Sequence, residues 1–207
     1  VTAANYILSN GANGGLASNY SATSTAAANI TPAQLTISGT VANDKIYNGN
    51  TLATLSNIGS VSAGFVGTET LVLNGPLAAN INFNTKDVLT ATTVTGTGYS
   101  LANGTNGGLA SNYALTSTQS AVAANITPAA LTITGTVAND KIYNGNTLAT
   151  LSNIGTISGG LVGTETVTLA SPLAANITFN TKDVLTANTV TAANYILSNG
   201  ANGGLAS

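Results

Sequence analysis

The chain has no cysteine, histidine, methionine or tryptophan in 207 residues, and its only basic side chains are Lys45, Lys86, Lys141 and Lys182. Each absence excludes a chemistry. Without His or Cys there is no Ser-His-Asp triad, no Cys-His pair and none of the usual zinc or iron sites. Without Arg the bidentate fork that recognises phosphate and carboxylate is missing. A net charge of −2 with no basic run argues against nucleic acid, whose binding depends on neutralised phosphates. No apolar run approaches the roughly 20 residues of a membrane helix, so insertion into a bilayer is not expected. No enzymatic activity, no catalytic residue and no cofactor are expected.

What is present is repetition. Residues 35–59, LTISGTVANDKIYNGNTLATLSNIG, return at 131–155 with one change in 25 positions, an offset of 96 residues. Residues 1–18, VTAANYILSNGANGGLAS, return at 190–207. A fixed period makes the repeat the unit of structure. We divide the chain into 1–34, the C-terminal part of a preceding repeat; 35–130, one complete repeat; and 131–207, a second repeat lacking its last strands. Residues 19–34 copy that lacking end, so the chain reads as a circularly shifted window on a tandem array. Either the window is an arbitrary stretch, or the head of one chain completes the last unit of the next by strand addition. Asn19, Tyr20, Ile30, Pro32, Ile126, Pro128 and Leu131 are the candidate inter-unit or strand-exchange residues.

At 43% hydrophobic residues the chain can bury a core. Leu35-Thr36-Ile37-Ser38 and Ile81-Asn82-Phe83-Asn84 alternate apolar and polar with the period of a strand. Thr, Val, Ile and Tyr favour strands, and no segment carries a helical apolar stripe. Strands are expected near 35–42, 51–57, 69–74, 79–84, 88–95, 98–102, 112–118 and 122–127. Asn-Gly pairs at Asn48-Gly49, Asn103-Gly104, Asn106-Gly107 and Asn144-Gly145 supply turns. The fold class is all-β: small sandwiches, Ig-like with Greek-key connections, in a linear tandem array. A β-solenoid is the alternative, although no sub-period of 20–30 residues is found.

Three motifs invite chemistry. Asp44-Lys45-Ile46-Tyr47-Asn48-Gly49-Asn50-Thr51 and its copy Asp140–Thr147 place oxygens at Asp44, Asn48, Asp140 and Asn144, the candidate metal ligands, for calcium. The EF-hand pattern fails, since Ile46 takes the third ligand position and Leu55 the twelfth. A hairpin anchored by Tyr47 is the plainer reading. Asp44-Lys45 and Lys86-Asp87 are adjacent opposite charges, poor partners on a strand because neighbours face opposite ways; Lys45 is expected to pair with Asp87 across strands. The glycines at 104–108 and 200–204 lack the following Lys and helix of a phosphate loop and read as turns.

Lys45-Ile46-Tyr47-Asn48-Gly49-Asn50-Thr51 with Ala53-Thr54-Leu55 resembles the core of the YDG repeat. The resemblance continues through Gly67-Thr68-Glu69, Phe83, Lys86-Asp87-Val88, Asn112-Tyr113 and Ala124-Asn125-Ile126-Thr127-Pro128. It departs at Asn48, where Asp is commoner. The resemblance implies a secreted bacterial surface protein, with YDG and MBG repeats as long tandem arrays beside filamentous-haemagglutinin-like segments. It brings no catalytic residues. The expected role is a structural segment of an extracellular filament or giant adhesin stalk, stacked end to end with copies of itself. A module that binds glycans or surfaces is the alternative.

Overall fold

The computed structural model describes residues 1–61 and 64–206. The chain is all-β, and its described residues form sheets of two or three strands with no closed barrel among them. The helical elements among the described residues are four single 3-10 turns, of which Ala78–Asn80 and Ala174–Asn176 are equivalent.

In residues 35–130 the centre is a three-stranded antiparallel sheet, with Thr93–Thr97 between Ile81–Phe83 and Gln119–Ala123. The extended residues 51–53 lie along its edge, where Ala53 N–H donates to Ile81 and Phe83 N–H donates to Thr51. The period-two alternation turns Ile81, Phe83 and Val94 inward, where they meet Ala53, Ala91, Ala124 and Ile126. Leu55, Tyr47 and Val88 pack on that cluster half-buried. Removing Phe83 and Val94 from water contributes about 1.5–3 kcal/mol each. Beside this sheet stand the pairs Ile37–Ala42 with Leu55–Val61 and Leu71–Asn74 with Ser100–Asn103, both antiparallel.

Two further pairings are parallel. Ala33–Leu35 runs beside Tyr113–Leu115, and Lys45–Ile46 beside Ile126–Thr127. The second corrects the hairpin expectation: the residues before the Asn48-Gly49 turn pair with the unit's last strand, not with Thr51-Leu52. The Lys45 ammonium explains the shape of the loop. It donates to the Asn50 carbonyl at 2.7 Å, the Asn50 carboxamide at 3.0 Å and the Leu52 carbonyl at 2.8 Å, so the loop wraps around one amine. Burial lowers its pKa.

Two expected strands are displaced. The one near 51–57 forms at Leu55–Val61, and the one near 88–95 at Thr93–Thr97. In the second case the Asn84 side chain captures the intervening residues. Its amide donates to the Thr90 carbonyl, and its oxygen accepts from the N–H groups of Thr92 and Thr93.

Residues 131–206 repeat three of these pairings 96 positions later: Thr132–Ala138 with Leu151–Gly159, Val167–Ala170 with Ile196–Asn199, and Ile177–Phe179 with Val190–Ala192. The head forms a short ribbon, Thr2–Ala3 with Ser24–Thr25. There Tyr6 Oη meets Ser24 Oγ at 2.6 Å, matching Tyr99 with Ser120 at 2.9 Å in the complete unit.

Candidate functional site

The rarest side chains converge where the first unit meets the second. Glu165 sits in the Gly163-Thr164-Glu165 turn, closed by its own N–H to the Val162 carbonyl at 3.1 Å. The glycine-rich loop is packed over that turn. Asn202 donates to the Thr164 carbonyl at 3.0 Å, and Thr166 Oγ1 accepts from Ala201 N–H at 2.8 Å. A Cβ on Gly204 would lie 1.8 Å from the Thr166 carbonyl oxygen, so only glycine permits this approach. The first unit repeats the clamp with Asn106, Thr70 and Gly108 around Glu69. These glycines fix a carboxylate in place; they do not cradle a phosphate.

Tyr47 arrives from the other side. Its N–H donates to the Thr127 carbonyl at 2.9 Å, extending the parallel pairing, and the Asn48-Gly49 turn then projects toward the second unit. Gly49, at φ 80°, approaches so closely that a Cβ there would stand 2.8 Å from Val162 Cγ1. The Tyr47 hydroxyl donates to Glu165 Oε1 at 2.5 Å and accepts from Lys86 Nζ at 3.1 Å. Lys86 also reaches Asp87 at 3.1 Å and Glu165 at 3.5 Å, and stands 5.4 Å from the Tyr47 ring centroid. Burial, then the bond to Glu165, raises the Tyr47 pKa. Acceptors at Tyr47 and then Asp87 raise that of Lys86. The result is a charge-assisted chain from ammonium through phenol to carboxylate.

Glu69 uses its carboxylate differently. Tyr113, 5% exposed, donates to Glu69 Oε2 at 2.5 Å and accepts from Val66 N–H at 3.0 Å. The bond to Glu69 raises its pKa. Phe65 meets its ring edge-on at 5.8 Å. In both units Oε1 is the oxygen facing the loop glycine, Gly107 or Gly203. Tyr113, from a unit's own tail, and Tyr47, from the preceding unit, therefore address opposite oxygens of two equivalent glutamates, Glu69 and Glu165.

Of the residues expected between units, Pro128 and Leu131 line the space between the first and second units. Ile126 is 2% exposed and belongs to the first unit's core. Asn19 ends a 3-10 turn, Tyr20 follows it 70% exposed, Ile30 is fully exposed and Pro32 is exposed. Lys86 and Asp87 do meet, because they lie in a turn where strand alternation does not apply; Lys45 pairs with Asn50 instead of Asp87. Asp44 accepts from Asn125 N–H at 2.6 Å, and Asn144 accepts from Asn146 N–H at 3.4 Å. Among the described residues no group of three acidic side chains comes together to hold a metal.

Tyr47, Lys86 and Glu165 were not singled out as joint residues from the sequence. Scarcity was the available signal: with four lysines and six acids in the chain, a charged residue kept in each unit has a specific partner. The family model for the YDG domain matches residues 31–121 and again residues 127–204. No curated protein and no solved structure matches the chain.

Proposed function

Because the chain belongs to the YDG domain family, with two matches whose starts lie 96 residues apart, we propose that it is a structural segment of an extracellular bacterial filament or giant adhesin stalk. Each repeat is a small β-sandwich with Greek-key connections, and the repeats stack end to end in a linear array. The observation that carries this reading is the Tyr47–Glu165–Lys86 joint, with Gly49 seated against Val162. A tethered pair of independent domains has no reason to reserve a glycine and a three-residue proton chain for their contact. The linker supports the same view. Thr127 closes the last strand of one unit and Thr132 opens the first of the next, leaving little hinge. Stability in such an array is a sum of unit and nearest-neighbour terms.

The reading is non-catalytic. The glutamates Glu69 and Glu165 are spent on tyrosine hydroxyls, so replacing Glu165 should alter stacking and replacing Glu69 the first unit's own packing, with no turnover to lose. Electron microscopy of the native assembly tests the proposal. A filament with an axial spacing of one or two units supports it; compact particles without axial repeat rule it out.

A further inference from the structure

We propose that the first unit is a shear clamp: tension along the chain is carried across two parallel strand pairs that tie the unit's beginning to its end, and the core between them is bypassed. The proposal deepens the stacking reading, on which it rests for the source of the tension.

Among the described residues the parallel pairings are Ala33–Leu35 with Tyr113–Leu115 and Lys45–Ile46 with Ile126–Thr127; every other strand pairing is antiparallel. Both parallel pairs join an early segment of the unit to its last strands. When the chain is stretched, Ala33 is drawn back toward the N-terminus and Thr127 forward toward the C-terminus. Parallel partners pulled this way slide along each other, and the evenly spaced bonds of their ladder must yield together. Partners pulled apart from one end would open one bond at a time. Residues 47–112, with the strands Ile81–Phe83 and Thr93–Thr97, lie between the tied segments and carry no load while both ties hold.

The ties are reinforced where they would slide. Thr116 N–H donates to the Leu35 carbonyl at 2.8 Å, extending the first. In the second, Lys45 N–H donates to the Asn125 carbonyl at 3.1 Å and Tyr47 N–H to the Thr127 carbonyl at 2.9 Å. Side chains add to it: Asn125 N–H donates to Asp44 Oδ1 at 2.6 Å, and the Thr127 hydroxyl to the Lys45 carbonyl at 3.3 Å. Leu35, Tyr113 and Ile126 are buried. A slip of one residue turns a strand's side chains to its other face, so sliding must also lift these three out of the core.

Single-molecule pulling in two directions tests the clamp. The sequence has no cysteine, so cysteines introduced into the full 207-residue chain give unique points for attaching handles. Pro32→Cys with Pro128→Cys loads both ties in shear; Pro32→Cys with Asn112→Cys grips the first tie from one end and peels it. All three positions are exposed. At one loading rate the shear pair should yield at a several-fold higher force, in a single step of about 300 Å as residues 33–127 extend. Equal forces, or gradual extension without a step, overturn the clamp. A second comparison uses the shear handles alone. Asp44→Ala, which removes an acceptor from a tie, should lower the yield force. Asn84→Ala, which frees residues 90–93 in the bypassed core, should lower the thermal midpoint and leave the force unchanged, since forced unfolding follows the barrier and not the equilibrium. A loss of force from Asn84→Ala as large as that from Asp44→Ala overturns the bypass. These forces belong to the isolated chain, so they hold or fail independently of the axial spacing that tests the stalk itself.

Discussion

Tyr47 and Glu165, separated by 118 residues, are joined by a 2.5 Å hydrogen bond in which the phenol donates to the carboxylate. Tyr47 leaves the last parallel pairing of one unit, and Glu165 occupies a clamped turn of the next. The bond is therefore a direct readout of how neighbouring repeats sit.

Tyr47→Phe should loosen the joint by about 1–3 kcal/mol, the worth of a hydrogen bond to a charged group. Lys86 loses an acceptor in the same change. Each unit should keep its own fold. Small-angle scattering should show a broader distribution of lengths, and amide exchange should rise around Val162–Glu165; an unchanged profile contradicts the role.

Gly49 and Gly145 provide a matched control. Both have φ near +80°, so alanine at either should cost about 1–2 kcal/mol of backbone strain. Only at Gly49 does the new methyl meet Val162, at 2.8 Å; at Gly145 nothing lies within 4 Å. Gly49→Ala should therefore lose about 1–3 kcal/mol more than Gly145→Ala in chemical denaturation, an overpacking cost. Equal losses would remove Val162 from the interface.

Alkali should open the joint. Burial and Glu165 raise the pKa of Tyr47, and Glu69 raises that of Tyr113. The folded chain holds these protons where the unfolded chain, with tyrosines near 10, releases them. The stabilisation is complete below about pH 10 and is lost as pH climbs through the folded values. Lys86, also raised, acts in the same direction. Ultraviolet titration should show Tyr47 and Tyr113 ionising at higher pH in the native chain than after unfolding.

Gly108→Ala should cost about 2–4 kcal/mol, because its Cβ would fall 1.9 Å from the Thr70 carbonyl oxygen and lift the loop off the Glu69 turn. The equivalent change Gly15→Ala in the head has its nearest contact at 3.5 Å and should be tolerated. Thermal unfolding of the two variants separates them; similar midpoints would mean that the loop does not clamp the glutamate.

Much of the fold was legible because its causes are local. Alternation at Ile81 and Phe83 identified a core strand correctly, and both side chains are buried. Tyr113, Leu35 and Ile126 are buried as well. Val94, Tyr99 and the four buried alanines, Ala53, Ala91, Ala124 and Ala149, were not legible, since small residues in a Thr- and Ala-rich chain give little contrast. The hairpin reading of Asn48-Gly49 failed because strand pairing with Ile126–Thr127 spans some 80 residues, and no local pattern announces a parallel partner.

The glycine-rich loop shows what the sequence determines unaided. Its three copies close the same way: Gly11 to Gly15 at 2.9 Å, Gly104 to Gly108 at 3.0 Å and Gly200 to Gly204 at 3.0 Å. Asn13, Asn106 and Asn202 all take φ near +57°. The copy in the head does so with no glutamate turn beneath it, so backbone preference and short-range hydrogen bonds suffice. The KIYNGNT segment shows the opposite. Its two copies are identical in sequence and both wrap a lysine amine. Yet Tyr47 is tied to Glu165 and Lys86, while Tyr143 is 56% exposed and Lys182 keeps only Asp183 among the described residues. Local sequence sets how each turn is shaped. Which turn becomes a joint is decided by the carboxylate that the neighbouring unit places against it, a contact made through space and invisible along the chain.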